Sequence, residues 1–285
     1  MTTWLSVLDA GPLTTVQDLG RRGWAHLGVP RSGALDRAAA TYANRLVGNP
    51  VDAAVLETTL GGVTVGVSGR VRVAVTGAPA PVTVDGRPRP FAEPFLLAAG
   101  SALSVGATTS GVRSYVALGG GVAADPVLGS RSTDTLSGLG PPPLARGVVL
   151  ALGEPPRSGP QGSGVPVVRH VAEEVRVRVR LGPRLDWFAE EALGVLLGSS
   201  YAVSSRSNRV GLRLEGATLP RSRDEELPSE GLVLGAVQVP ASGEPLVFLN
   251  DHPTTGGYPV VGVVAPEDLA ACAQLRPGAT VRFVV

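Results

Sequence analysis

The sequence contains no lysine, because all 25 of its basic residues are arginine. This absence excludes every mechanism that needs a lysine amine, including a Schiff base, a Walker-A phosphate loop and a kinase-type strand lysine. If the protein works with ATP, it does not bind the nucleotide through a phosphate loop of that kind.

Cysteine is nearly absent as well, since Cys272 is alone in the chain. A single thiol excludes an internal disulfide and a zinc site built from several thiolates. Residues 268–275 have the pattern of a helix. We therefore interpret Cys272 as a buried, inert thiol, with a reactive thiol as the alternative.

An excess of charge of one sign and a long apolar run are also missing. The 25 basic and 24 acidic residues give no basic field for a nucleic acid. The longest uncharged stretch, residues 94–112, is rich in small and hydroxyl residues and predicts no membrane span. The first residues lack the charged and apolar segments of a signal peptide, so we expect a cytoplasmic location.

Aromatic residues make up only 4% of the chain, whereas there are 38 glycines and 25 prolines. Glycine and proline disfavour long helices and favour turns. The hydrophobic content of 44% excludes a disordered chain. The composition therefore predicts a mainly β fold with many short strands and a few short helices.

A segment rich in proline, glycine and serine divides the chain at residues 153–166. We interpret it as a linker between an N-terminal domain, residues 1–152, and a C-terminal domain, residues 167–285. Residues 97–103 and 275–281 each place a glycine turn before a short apolar strand. This faint similarity suggests two similar β-barrel domains.

Alternating or continuous apolar residues predict several strands, and Asp85-Gly86 is a hairpin turn signal. In one strand the arginines alternate with apolar residues, so we expect them on its solvated face, with an anion-binding stripe as the alternative. The predicted strands are residues 70–75, 81–84, 114–118, 175–181, 246–249 and 260–264.

An apolar stripe at helical spacing predicts one helix over residues 35–47, opened by Ser32 or Gly33 and closed at Gly48. Asn49 followed by proline predicts the start of a second short helix that runs to Glu57. Further helices are predicted at residues 186–198 and after residue 266.

The first candidate for chemistry is the polar loop of residues 11–36. His26 is suited to move a proton near neutral pH, and Ser32 with Asp36 could complete a nucleophilic triad. The alternatives are structural: Ser32 or Asp36 caps the following helix, and His26 is a satisfied histidine.

Two further polar segments lie in the C-terminal half. Residues 204–214 hold three arginines with serine and asparagine, which suits a clamp for carboxylate or phosphate or a solvated turn. Residues 235–240 and 250–259 combine polar side chains with two glycines that allow close approach of a ligand. Asp251 and His252 have no third ligand at a telling spacing, so no metal site is predicted.

Taken together, these segments resemble the family of the 5-oxoprolinase C subunit, which is also described as allophanate hydrolase subunit 2 or the biotin-dependent carboxyltransferase family. The resemblance covers nearly the whole chain. Its specific pieces are residues 14–20 (TTVQDLG), 26–30 (HLGVP), 32–36 (SGALD), 43–49 (ANRLVGN), 56–62 (LETTLGG), 128–133 (LGSRST), 208–214 (NRVGLRL) and 254–259 (TTGGYP).

The resemblance implies two cyclophilin-like β-barrel domains and a direct partner, the B subunit, which works with the A subunit. Together the three subunits open 5-oxoproline to glutamate, coupled to ATP hydrolysis. A five-membered lactam is an unreactive amide, and phosphorylation of its oxygen would activate the carbonyl. Because the chain has no lysine and no phosphate loop, we expect any ATP site to lie on a partner or at an interface.

Carried over by position, the resemblance also implies the residues of a site. His26 or Asp251 is expected to handle a proton, and Arg209 or Arg213 to bind a carboxylate or phosphate. The expected substrate-binding residues are Ser32, Asn208, Arg209, Arg213, Gln238, Thr254, Thr255, Gly256, Gly257 and Tyr258. Arg22 and His252 lie outside the matched pieces and receive no role.

Related chains imply two alternatives. One is a carboxyltransferase component that acts on urea or a related amide with carboxybiotin. Since no lysine is present to carry biotin, the cofactor would have to arrive on another protein. The other is a non-enzymatic protein that antagonises an inhibitor of a histidine kinase.

Overall fold

Short, valine-rich strands make up most of the regular secondary structure, which confirms the predicted mainly β fold. The computed structural model describes residues 2–155, 159, 174–223, 225 and 227–285. Residues 156–158 and 160–166 of the predicted linker lie outside the described residues.

The chain divides into two units. The first takes the described residues within 1–21, 32–134 and 138–170, and the second takes those within 22–31, 135–137 and 171–285. Two short segments of the N-terminal half, residues 22–31 and 135–137, therefore belong with the C-terminal strands. The sequence pattern of these segments gave no sign of this, and the predicted boundaries 1–152 and 167–285 stay a prediction.

The first unit arranges its described strands in two sheets, ordered β11-β1-β4-β9-β6-β7 and β2-β3-β10-β5-β8. These strands are β1 (Trp4–Ala10), β2 (Leu13–Gln17), β3 (Val55–Thr59), β4 (Val63–Val67), β5 (Val71–Gly77), β6 (Val82–Val84), β7 (Arg87–Arg89), β8 (Phe95–Leu97), β9 (Ala102–Val105), β10 (Arg113–Leu118) and β11 (Val149–Ala151). The Asp85-Gly86 hairpin joins β6 to β7, and both turn residues have positive φ, as a two-residue hairpin of this type needs.

The second of these sheets is buried on both faces. One face packs on the first sheet through residues such as Leu56 and Val116. The other packs on helix α1 (Arg37–Val47) through residues such as Ala74 and Tyr115. Strand β10 is consequently buried along its whole length, which explains why its apolar residues do not alternate with polar ones.

Helix α1 begins one turn later than either Ser32 or Gly33 would allow. The carboxylate of Asp36 accepts a hydrogen bond from the backbone N–H of Ala39 at 3.1 Å, which makes Asp36 the N-cap. Gly48 ends the helix in the left-handed conformation, as predicted. The structural alternative for Asp36 is therefore confirmed.

The predicted second helix from Asn49 to Glu57 is wrong. Strand β3 begins at Val55, and the side chain of Asn49 is held by long-range contacts instead of capping a helix. Its amide donates to the carbonyl of Leu118 at 2.8 Å, and its oxygen accepts from the N–H of Gly120 at 2.8 Å. Pairing across the sheet has overridden the local cap signal.

The second unit contains a closed barrel in the order β12-β19-β16-β17-β14-β13-β20. Its described elements are β12 (Glu174–Leu181), α2 (Ala192–Gly198), β13 (Tyr201–Val203), β14 (Gly211–Glu215), β15 (Glu230–Gly231), β16 (Ala236–Gln238), β17 (Leu246–Phe248), β18 (Thr255–Gly256), β19 (Val260–Val264), α3 (Leu269–Cys272) and β20 (Thr280–Val284). In β12 the valines at 177 and 179 are buried and the arginines are exposed, which confirms the predicted solvated face.

Two helices of this unit differ from their prediction. The segment 186–198 forms a single 3-10 turn and then α2, because Phe188 is extended and buried instead of helical. Cys272 ends the short helix α3 and is buried, and burial raises the pKa of its thiol to about 12. This supports the interpretation of Cys272 as an inert thiol.

A buried polar network ties α1 to its sheet. The hydroxyl of Tyr115 donates to Glu57 Oε2 at 2.9 Å and accepts from the backbone N–H of Asp36 at 2.7 Å. The N–H of Leu35 donates to the same carboxylate oxygen at 3.0 Å. Burial, together with the charges of Glu57 and Asp36, raises the pKa of Tyr115 well above 10.0, so this hydroxyl stays neutral.

We expect Tyr115→Phe to lower the free energy of unfolding by ~2 kcal/mol, because it leaves a buried N–H and a buried carboxylate each short of a partner. Urea denaturation measures this change. Tyr258→Phe, at a side chain 41% exposed, is the matched control and should change stability by less than ~0.5 kcal/mol. Equal effects of the two variants would contradict the importance of the network.

Candidate functional site

Two loops at one end of the barrel bring Arg209 and Asp251 together. Arg209 precedes β14 and Asp251 follows β17, and these strands pair with Gly211 opposite Phe248. The contact continues beyond the strands, since the backbone N–H of Asp251 donates to the carbonyl of Arg209 at 3.1 Å.

The Asp251 carboxylate is saturated with donors. Arg209 donates from Nε to Oδ2 at 2.9 Å and from Nη2 to Oδ1 at 3.0 Å, and the two side chains are 1% and 0% exposed. Thr135 donates its N–H at 2.9 Å and its hydroxyl at 2.7 Å to Oδ2. The predicted roles of Asp251 in proton transfer and of Arg209 in anion binding stay predictions, and these contacts favour a supporting role for both.

His252 lies next to this pair and is buried, with 6% of its surface exposed. Its Nδ1 is 2.6 Å from the carbonyl oxygen of Pro253, and its ring packs on Phe248 with centroids 5.9 Å apart. Burial lowers the pKa of His252, and the charge of Arg31 lowers it further, against the opposing effects of the Pro253 hydrogen bond and Asp251. The result is a neutral imidazole near pH 7.

The loop of residues 22–31 belongs to the same unit. His26 lies in a 3-10 turn, Ala25–Leu27, where it is exposed and stacks on Trp24 with ring centroids 6.1 Å apart. Its Nδ1 is 3.0 Å from the carbonyl oxygen of Gly23. Gly28 of the same loop lies beside Thr254, so the structure brings two of the predicted segments together.

Ser32 and Asp36 belong to the first unit. The Ser32 hydroxyl is buried and accepts a hydrogen bond from Arg21 Nη1 at 3.1 Å, while Asp36 caps α1. The hydrogen-bond partners of these two side chains thus differ from that of His26, whose Nδ1 faces the carbonyl of Gly23. The substrate-binding role predicted for Ser32 stays a prediction.

Gln238 and the glycine turn form one cluster, as the sequence predicted. The amide of Gln238 donates from Nε2 to the carbonyl of Tyr258 at 3.1 Å. A Cβ on Gly256 would lie 2.8 Å from that nitrogen, so a larger residue there would displace the end of the Gln238 side chain. The other residues of the turn are Thr254, half-buried, Thr255, exposed, Gly257, half-buried, and Tyr258, exposed.

Asn208 and Arg213 have different surroundings. The side-chain oxygen of Asn208 accepts from the N–H groups of Val210 at 2.8 Å and Gly211 at 3.3 Å, and so forms the turn into β14. Arg213 is exposed on β14 between the buried Leu212 and Leu214. Its side chain therefore lies on the solvent-exposed face of the strand, where an anion can reach it.

Sequence reasoning missed three residues of this region: Thr135, Arg31 and His252. The signal for His252 was its position directly after Asp251, between two matched pieces of sequence. Thr135 carried no local signal, because its contact with Asp251 spans 116 positions. No group of three or more potential metal-ligating side chains occurs among the described residues. Within that part of the chain, no helix is long and apolar enough to cross a membrane.

Comparison with known proteins places the chain in a family. The family model "Carboxyltransferase domain, subdomain A and B" matches residues 27–285. The chain belongs to this family. It is 38% identical to the C subunit of 5-oxoprolinase from Escherichia coli (strain K12), over 98% of this chain and 90% of that protein. These matches confirm the resemblance stated from the sequence motifs.

Solved structures share the fold. A crystal structure of TTHA0988 is 37% identical, with a TM-score of 0.90, and the match covers 100% of this chain and 56% of that chain. The urea amidolyase of K. lactis is 31% identical, with a TM-score of 0.92, and the match covers 99% of this chain and 18% of that chain. The chain therefore spans only part of the length of these relatives.

Alanine substitution of Arg209, which is buried, and of Arg213, which is exposed, tests the contribution of the buried ion pair to stability. We expect Arg209→Ala to lower the free energy of unfolding by about 3–5 kcal/mol, because it leaves the Asp251 carboxylate buried without its cation. Arg213→Ala removes an exposed side chain and should cost less than ~0.5 kcal/mol. Thermal or urea denaturation measures both, and a small loss in the Arg209 variant would contradict the importance of the pair.

Proposed function

We propose that the chain is the C subunit of an ATP-dependent 5-oxoprolinase that opens 5-oxo-L-proline to L-glutamate. The observation that carries this proposal is the similarity to the E. coli 5-oxoprolinase C subunit over 98% of this chain and 90% of that protein. A match over nearly the full length of both proteins favours a shared function, whereas a match to one part of a larger protein would support only a shared domain.

A component of a larger enzyme needs partners, and we propose that this one works with the A and B subunits of 5-oxoprolinase in the cytoplasm. The sequence offers no lysine for a phosphate loop. We therefore propose that ATP binds on a partner or at an interface, where its hydrolysis drives the opening of the unreactive lactam. The isolated chain is expected to be inactive.

In this proposal the substrate binds to the second unit. Arg213 offers an exposed cation for the carboxylate of 5-oxoproline, and the turn with Gly256 and Gly257 offers backbone N–H groups. Gln238 holds this turn in place through its bond to Tyr258. The Arg209 and Asp251 pair supports the loops from which these groups project.

The second candidate is a carboxyltransferase component that acts on urea or a related amide with carboxybiotin. The TM-score of 0.92 with the K. lactis urea amidolyase favours it. The match covers only 18% of that protein, so the similarity supports a common domain more than a common reaction. Biotin would have to arrive on another protein.

The deciding experiment is glutamate release from 5-oxoproline with ATP, measured on this chain assembled with the A and B subunits. We expect activity that is lost when any one of the three is omitted. Size-exclusion chromatography confirms assembly of the complex.

Activity that persists without this chain would contradict the proposal. No activity in an assembled complex would also contradict it, and carboxyl transfer from carboxybiotin to urea would then be measured on the same preparation.

Substitution of Arg213 tests the carboxylate contact. We expect Arg213→Ala to raise the KM for 5-oxoproline about 10-fold or more, since a hydrogen bond to a charged group contributes ~1.5–3 kcal/mol. Arg176→Ala is the matched control, because Arg176 is also exposed, on β12. An unchanged KM in the Arg213 variant would remove this residue from the substrate contact.

A further inference from the structure

We propose that His252 is the proton-transfer residue of the ring-opening reaction, with Nε2 of its neutral imidazole as the accepting atom. This inference rests on the proposed 5-oxoprolinase function and names the group that moves the proton. Neither the family comparison nor the sequence motifs assign any role to His252.

The hydrogen bond at Nδ1 fixes the tautomer of His252. A carbonyl oxygen can only accept, so the 2.6 Å contact with Pro253 requires the proton to sit on Nδ1. Nε2 then carries a lone pair. Within the described part of the chain, no residue forms a hydrogen bond with Nε2. A buried imidazole with a fixed tautomer and an unused lone pair is suited to accept a proton.

The surroundings keep His252 neutral and oriented. Phe248 packs against the ring, and only 6% of the residue is exposed. The charged groups that act on it are Arg31 and Asp251. The negative charge of Asp251 is balanced by Arg209, whereas Arg31 disfavours a second positive charge at the ring. The pKa of His252 is therefore lowered, and the base form is present at pH 7.

The two residues predicted from the sequence are less suited to this step. The Asp251 carboxylate already accepts four hydrogen bonds from Arg209 and Thr135. His26 is exposed in its turn, with nothing but Gly23 and Trp24 as described contacts of its ring. His252 combines burial, a fixed tautomer and an open acceptor atom.

The hydrolytic step at the lactam balances with one molecule of water, and the ATP hydrolysis of the proposed function, which takes a second water, supplies its driving force. The oxygen of a water molecule bonds to the lactam carbonyl carbon while Nε2 takes one of its protons. The carbon–nitrogen bond of the ring then breaks, and Nε2 returns that proton to the leaving nitrogen. The second proton of the water moves from the new carboxyl group to the amine, so the product is glutamate with an ammonium group and the imidazole is again neutral.

His252→Asn in the assembled complex tests the proposal. The asparagine amide keeps a donor near the Pro253 carbonyl but has no basic nitrogen in place of Nε2. We expect kcat to fall about 100-fold or more, with the KM for 5-oxoproline and the thermal midpoint close to those of the wild type. A merely structural role predicts the opposite, a wild-type kcat in the variant that keeps this bond.

The pH profile gives a second readout. Since His252 must be neutral to accept a proton, the wild-type kcat/KM should fall as the pH drops through a value below the ordinary pKa of 6.5. This acidic limb should be absent from the residual activity of His252→Asn. An identical limb in the variant would overturn the proposal.

The outcomes separate the inference from the proposed function. A wild-type complex without 5-oxoprolinase activity overturns the proposed function and the inference with it. An active wild type with an equally active His252→Asn overturns only the inference. If the variant does not fold, NMR of the wild-type complex measures the pKa of the His252 imidazole directly. This pKa must equal the pKa at which kcat/KM falls on the acidic side. A difference between the two overturns the inference.

Discussion

The hydrogen bonds of the Asp251 carboxylate hold the loops of the second unit in position. The carboxylate accepts hydrogen bonds from Arg209, which precedes β14, and from Thr135 in a distant segment, and it follows β17 in the chain. A buried charge is tolerated only when it is paired and fully hydrogen-bonded. The position of three loops is therefore fixed by one group, and the backbone leads from it directly into His252.

The absence of lysine fits this architecture. Arginine presents a planar fork that can bind both oxygens of a carboxylate, and the Arg209 contact uses that geometry. It also keeps its charge when buried, as a lysine amine often does not. The same residue type at position 213 is exposed and free to meet an anion from solvent. Burial, rather than residue identity, separates the supporting arginine from the candidate ligand.

Each of the six strands predicted by range from local patterns is present, but the structure describes twenty strands. Its three described α-helices all lie in segments predicted as helical, although each is shorter than predicted or begins later. Alternation in β12 and the Asp85-Gly86 turn depend on neighbouring residues alone, and both are confirmed. The helix predicted from Asn49 failed because its side chain is held by Leu118 and Gly120, far away in sequence. Such long-range contacts produce no periodic pattern in the sequence. An asparagine that caps a helix therefore cannot be distinguished, from the sequence, from one that anchors a loop.

Composition and several short motifs were enough to establish the mainly β class, the lack of lysine chemistry and the family. The polar segments 235–240 and 250–259 were also grouped from the sequence, and this placed Gln238 with the turn near Gly256. The folded chain was needed to show that residues 22–31 join the barrel while Ser32 belongs to the other unit. It was needed as well to show that the carboxylate of Asp251 already accepts hydrogen bonds from Arg209 and Thr135. The reason is physical: burial and hydrogen-bond pairing are set by residues far apart in the chain, as in the Thr135 contact with Asp251 across 116 positions. These properties decide which polar side chain remains available for chemistry.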